Sequence, residues 1–201
     1  MGEHREDVGP EIHELLARRW SPRAWLNRPV EMEKLRACLE AARWAASSMN
    51  QQPWHFLVAT RDQPEPHARL AACLADTNAV WASHAPVLML SVAKQTFNAT
   101  GQPNRFAWHD TGLATGALMA QATAFGLHVH AMGGFSRTKS RKAFGIPDGF
   151  EPVAAIALGY LGDSASLPAD LQEQETAARS RRPIATWAFA DNWGEAFPVV
   201  G

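Results

Sequence analysis

Three short stretches carry residue types able to grip a charged ligand: RWSPRAW from Arg19 to Trp25, ASSMNQQPW from Ala46 to Trp54, and RSRRP from Arg179 to Pro183. A guanidinium is a planar fork of donors that matches phosphate oxygens two at a time. Arg19, Arg23, Arg179 and Arg181 in a chain without overall positive charge therefore suggest a discrete anionic ligand. Ser, Asn and Gln both donate and accept, which suits the edge of a heterocycle with alternating N–H and C=O groups. Together the three stretches describe a nucleotide-like ligand with a phosphate tail. Each has a plainer reading beside it. Residues 179–182 could be a solvated basic run or a short localisation signal, Ser47, Ser48 and Asn50 a capped turn, and Arg19 and Arg23 cations at a helix C-terminus.

Other chemistries have less support. His128 and His130 alternate by two, so on a strand they share a face, but a zinc site needs a third ligand and none has convincing spacing. His109 and Asp110, adjacent on a helix, are expected to point about 100° apart, which disfavours a mutual dyad. There is no Gly-x-Ser-x-Gly elbow and no glycine-rich phosphate loop; Gly133-Gly134 is only a pair. Cys38 and Cys73 fit no metal or redox spacing and read as small core residues in a reducing compartment.

The elements that must position these residues follow from periodicity. Ile12, Leu15, Leu16 and Arg19 have helical spacing, with Pro10 suited to an opening turn. Leu35, Cys38, Leu39, Ala42 and Ala45 mark a second amphipathic helix that ends at the Ser47 corner. His55–Thr60 reads as a strand, Pro64 and Pro66 as a surface turn, and His67 to about Ala75 as a helix. Pro86–Ala93 is an apolar run expected to be a strand covered on both faces. A polar loop, Gln95–Arg105, leads to a helix from Phe106 to Phe125, apolar nearly all round, which Gly126 stops. Asp110, His109 and several Thr argue against a membrane span there; burial between layers or between subunits is expected. His128–Met132 reads as a strand, Thr138–Phe144 as a helix stopped by Gly145, and Val153–Leu161 as another buried strand. Irregular alternation of strands and helices predicts an α+β layer fold.

The chain has 201 residues, 46% of them apolar, enough for a single domain over 1–201 with a substantial core. Nineteen Lys and Arg against twenty Asp and Glu give a net charge of -1, which supplies no general attraction to nucleic acid or to an anionic membrane. The N-terminal MGEHREDVGPE lacks an apolar signal core, so a cytoplasmic location is expected.

In order along the chain, RWSPRAW, AARWAASSMNQQPWHFLVA, NAVWASHAPVLML, GLHVHAMGGF, and RSRRP followed by WGEAF resemble the nitroreductase family of FMN-dependent oxidoreductases. The resemblance implies a mainly antiparallel four- to five-stranded sheet flanked by helices, in an intertwined homodimer with two FMN sites at the subunit interface. It implies that Arg19, Trp20, Ser21 and Arg23 contact the phosphate, the ribityl chain and the pyrimidine side of the ring. Arg179 and Arg181 match the late basic pair that holds the phosphate. Ser47, Ser48, Met49 and Asn50 match a segment that reaches the flavin of the other subunit. Asn78 resembles a ring-contacting Asn, Gly133 and Gly134 occupy the stretch whose backbone nears flavin N5, and Asp110 aligns with a polar helix position close to the cofactor. Trp20 stands where the family often has a basic or polar residue, Ala46 where it often has Pro, and Ala131 and Gly133 where many members have Pro and Glu.

The activity so implied is two-electron hydride transfer from NADH or NADPH, through FMN, to a small electron-poor acceptor such as a nitroaromatic or quinone. No side chain is expected to act as a dedicated acid or base. Reductive dehalogenation or flavin fragmentation on the same fold, and a flavin-binding protein without turnover, are the alternatives. The Gln95–Arg105 loop looks short for the specialised lid that the first two would need.

Overall fold

The computed structural model describes residues 12–198. The opening turn expected at Pro10 and the MGEHREDVGPE stretch, read as lacking an apolar signal core, lie outside the described residues. Four strands form one sheet: β1 (Trp54–Thr60), β2 (Val87–Lys94), β3 (His128–Met132) and β4 (Phe150–Gly159), in the order β1-β2-β4-β3. Every pairing is antiparallel. The expected α+β architecture is therefore observed, with four strands. Seven helices surround the sheet among the described residues: α1 (Glu14–Arg18), α2 (Met32–Arg43), α3 (Pro64–Ala71), α4 (Asp76–Ala82), α5 (Ala107–Ala124), α6 (Arg137–Phe144) and α7 (Ala169–Thr176).

The central strands β2 and β4 bury both faces. On one face Leu88, Leu90, Ala155 and Ala157 pack with Leu70 of α3, Trp81 of α4 and Trp25. On the other, Val87, Met89, Ile156 and Leu158 pack with Leu35 and Cys38 of α2 and with Ala114, Leu118 and Ala122 of α5. The unbroken apolar run of β2 follows from this, since a strand covered twice has no polar side to show. Both cysteines are free and buried, and burial pushes the Cys38 thiol up to about 11.

Several boundaries differ from the sequence reading, each for a local reason. Pro64 and Pro66 form the first turn of α3 rather than a loop before it, where missing N–H groups cost nothing. β4 begins three residues before the expected Val153 and carries Pro152 through an irregularity opposite Ser91 and Val92, the place where a residue without an N–H is tolerated in a sheet. α4 and α7 were not anticipated at all. α5 is not apolar-buried all round: Ala107, Thr111, Ala114, Leu118 and Ala122 face inward, while Trp108, Gly112, Leu113 and Gly116 form an exposed stripe. The Gln95–Arg105 loop closes on itself, with a Thr96–Pro103 bridge and Phe97 N–H donating to Gln102 O at 2.8 Å. None of the described helices is long and apolar enough to cross a membrane.

Candidate functional site

The chain leaves α1 at Arg18 and crosses the face of the sheet that carries α4, reaching the buried Trp25 in extended and turn geometry. Three side chains from distant parts of the sequence hold the backbone of this crossing. Arg179 donates from Nη1 to Arg19 O at 2.9 Å and from Nη2 to Ala17 O at 3.0 Å. His130 of β3 places Nδ1 2.9 Å from Pro22 O, so that nitrogen carries the hydrogen. Glu175, in the last turn of α7 and only 4% exposed, accepts the N–H groups of Arg23 (2.8 Å) and Ala24 (3.0 Å) on one carboxylate oxygen.

Beside this loop lies a cavity of about 220 Å³ lined by Arg19, Trp20, Ser21, Arg23, Arg179 and Arg181, with Glu175 in its wall. Six of the residues singled out in the sequence, from Arg19 to Arg181, thus share one cavity. Four guanidiniums face one carboxylate there. That carboxylate is already committed to two backbone N–H groups and to Arg23 Nη1 at 3.8 Å. Burial, then the charges of Arg181 and Arg179, lower the pKa of Arg19, as expected where like charges converge. Arg19 Nη1 also donates to Ser21 Oγ at 3.4 Å. A dianionic phosphate would relieve this repulsion and matches the donor set in charge. A larger cavity of about 280 Å³, between Arg28, Pro29 and Arg61 at the far ends of β1 and β2, contains none of the singled-out residues.

A second group adjoins the first. The Arg23 guanidinium lies 6.0 Å from the ring centre of Trp81, and His130 stacks on the same indole at 4.5 Å. One turn before Trp81 on α4, Asn78 donates from Nδ2 to Gly134 O at 3.0 Å. A Cβ on Gly134 would sit 2.5 Å from that nitrogen, so the glycine is what lets Asn78 close on the backbone. A Cβ on Gly133 would meet nothing within 4 Å, leaving its backbone approachable from the open side. His128 packs edge-on to Trp20 at 5.9 Å, with its Nδ1 buried and without a hydrogen-bond partner among the described residues. Burial lowers the pKa values of His128 and His130; Arg18 adds to this at His128, and Arg23 and Arg19 at His130, where the bond to Pro22 opposes it. Among the described residues no group of three or more His, Cys, Asp or Glu could hold a metal.

The third group, Ser47 to Asn50, lies elsewhere. It follows α2 as a single 3-10 turn (Ser48–Asn50) and is tied to α5, in the helical layer on the opposite face of the sheet. Ser48 N–H donates to Asp110 Oδ2 at 2.9 Å, and Asn98 N–H to Gln51 Oε1 at 2.8 Å. Met49, Asn50 and Gln52 all have φ near +50°, a strained state for residues with a Cβ. Met49 is 81% exposed. His109 Nδ1 lies 2.9 Å from Asp110 Oδ1, which corrects the expectation that adjacency would keep the two apart: the His109 side chain turns back across the helix surface to meet its neighbour.

Sequence reasoning missed Glu175, Trp81 and His130 as parts of the site. α7 reads ADLQEQET, with no apolar period after Leu171, so a buried acid there looks like any solvated one. The available hint was Glu175 standing four residues before Arg179, an acid within reach of a basic run.

Comparison with known proteins bears on the fold and the family. A solved structure described as an oxidoreductase containing FMN superposes with a TM-score of 0.89 at 34% identity, covering 97% of this chain and 98% of that one. A NADH dehydrogenase of Thermus thermophilus is 28% identical over 174 residues, 71% of this chain and 83% of the relative. A 15.4 kDa protein of Mycolicibacterium smegmatis is 39% identical over 90 residues, and the match spans 45% of this chain and 60% of that relative. The family model described as Nitroreductase family matches residues 16–160, well over half of the chain and all four strands. With its four-stranded sheet and that match in agreement, the chain belongs to the nitroreductase family, a family of flavin oxidoreductases.

Proposed function

We propose that the chain is a single-domain FMN-dependent oxidoreductase that takes electrons from NADH or NADPH and passes them to a small electron-poor acceptor, a nitroaromatic or a quinone. The observation that carries this reading is the cavity in which Arg19, Ser21, Arg23, Arg179 and Arg181 converge against one committed carboxylate. When bound, FMN supplies the two-electron chemistry that amino-acid side chains cannot perform. The chain's own residues bind and orient. Arg19, Arg179 and Arg181 supply positive charge for the phosphate, and Ser21 adds a hydroxyl on the same wall. Arg23 would set a cation beside the ring, where it would favour added negative charge. Asn78, held on Gly134 O, presents an amide to the ring edge, and the open backbone at Gly133 allows close approach.

The Ser47–Asn50 bend belongs to the same site only when a second copy supplies it. Support for such a homodimer comes from the exposed stripe of α5, where Gly112 and Gly116 permit close backbone approach beside Trp108 and Leu113. Exposed Trp187, Trp193 and Phe197 near the C-terminal end add to it. Buried thiols fit a reducing cytoplasm.

The absorption spectrum of the purified protein and a turnover assay test the reading together. Flavin bands, with NADH or NADPH oxidised only when a quinone or nitroarene is present, are expected. A colourless protein that takes up no FMN rejects it, and a yellow one inert toward every such pair reduces it to flavin binding alone.

A further inference from the structure

We infer that Glu175 is the positioning residue of the anion cavity: it fixes the Arg23–Ala24 backbone and thereby the direction of the Arg23 side chain. Three observations lead there. Both carboxylate oxygens accept the Arg23 N–H, at 2.8 and 3.0 Å, and one also accepts the Ala24 N–H at 3.0 Å, so adjacent amides converge on one acid. The same acid stands 3.8 Å from Arg23 Nη1, which binds both ends of one residue to a single anchor. Its side chain is only 3% exposed, so water does not substitute for it.

The placement is costly in two ways unless positioning is its purpose. A carboxylate in the wall of a cavity that gathers cations opposes binding of any anion there. An acid in the final turn of a helix also faces the negative end of the helix dipole. The bonds to Arg23 and Ala24 compensate for both: backbone N–H groups directed at a buried carboxylate are charge-assisted, and losing the acceptor leaves two donors buried and unsatisfied. His130 restrains Pro22 O from the opposite side, and Arg179 restrains the carbonyls of Ala17 and Arg19. Glu175 alone in this set grips the residue whose guanidinium reaches past the loop toward Trp81.

The inference rests on the FMN reading for its functional consequence but not for its structural one, and two measurements separate them. In the cofactor-free protein, Glu175→Gln, which keeps the shape and removes one acceptor oxygen and the charge, speeds hydrogen exchange at the Arg23 and Ala24 amides roughly tenfold or more, while β2 amides keep their protection. Unchanged exchange at the two amides, or an equal loss throughout the sheet, overturns the assignment. In the FMN-loaded protein, Glu175→Ala and Glu175→Gln lower the flavin midpoint potential toward that of Arg23→Ala, and neither lowers it further in an Arg23→Ala background. A potential that rises, or that shifts equally in both backgrounds, means that the carboxylate acts by its own charge and not through Arg23. Failure of the wild type to bind FMN counts against the proposed function and leaves the exchange result standing.

Discussion

The Arg19–Ala24 loop and the Ser47–Gln52 bend are both polar corners beside the same sheet, yet they are held in opposite ways. The first is anchored by buried Glu175, by half-buried His130 and by Arg179, and it frames a finished cavity. The second is largely exposed, carries three non-glycine residues with φ near +50°, and depends chiefly on one buried carboxylate, Asp110. A loop made within one chain can be braced from behind. The bend instead leaves one side open, and its strain is held by two bonds to the rest of the chain, Ser48 N–H to Asp110 and Asn98 N–H to Gln51 Oε1.

The sharpest way to break this contrast is at the braced loop. Arg179→Ala removes both a cavity charge and the hold on Ala17 and Arg19, and FMN affinity is expected to fall about 100-fold, read from flavin fluorescence. A change of less than about threefold would show that the bracing does not matter to the ligand. At the bend, Asp110→Ala strips the acceptor from the Ser48 amide, and a loss of about 1–3 kcal/mol in denaturant unfolding is expected, with Asp110→Asn intermediate. Equal stability of all three proteins would remove Asp110 as the anchor.

Acidification acts on the loop side. Burial lowers the pKa values of His67, His128 and His130 below the ordinary 6.5 of the unfolded chain, so the unfolded state takes up protons that the folded state resists. Their contribution is complete well above pH 6.5 and declines as the pH falls through and below it, so Tm should hold near pH 7.5 and drop as the pH is lowered past about 6.5. A smaller drop in the His130→Asn variant would assign part of this to the loop; a flat Tm profile in the wild type would contradict the shifts. The smallest effect is expected at Met49→Gly. Relief of a left-handed residue and the greater entropy of glycine nearly cancel, leaving stability within about 1 kcal/mol, while turnover falls if the bend meets a second copy's cofactor. A large stability change there would mean that the strain is not local.

The strands and the two long helices were readable because burial imposes a period: β3 runs from His128 to Met132 as the alternation indicates, and α2 follows Leu35, Cys38 and Ala42. α4 was missed because DTNAVWA is barely two turns and its Asn drew attention as a ligand group rather than as part of a helix. α7 was missed because its one buried residue is an acid, and hydrophobic patterning says nothing about a buried Glu that is satisfied by backbone N–H groups. The arginines of the cavity were visible as types at a distance, whereas their separation from Ser47–Asn50 by the thickness of a sheet is a property of topology. The contact between His109 and Asp110 depends on a rotamer, which spacing along a helix does not determine.

The bonds from Glu175 and Arg179 to the Ala17–Ala24 stretch span between 151 and 162 positions of sequence. The last strand ends at Gly159, so all four strands precede in sequence the two side chains that hold the Arg19–Ala24 loop. A truncation before Glu175 is therefore expected to spare every strand and to remove both the acceptor of the Arg23 and Ala24 amides and the donor to the Ala17 and Arg19 carbonyls.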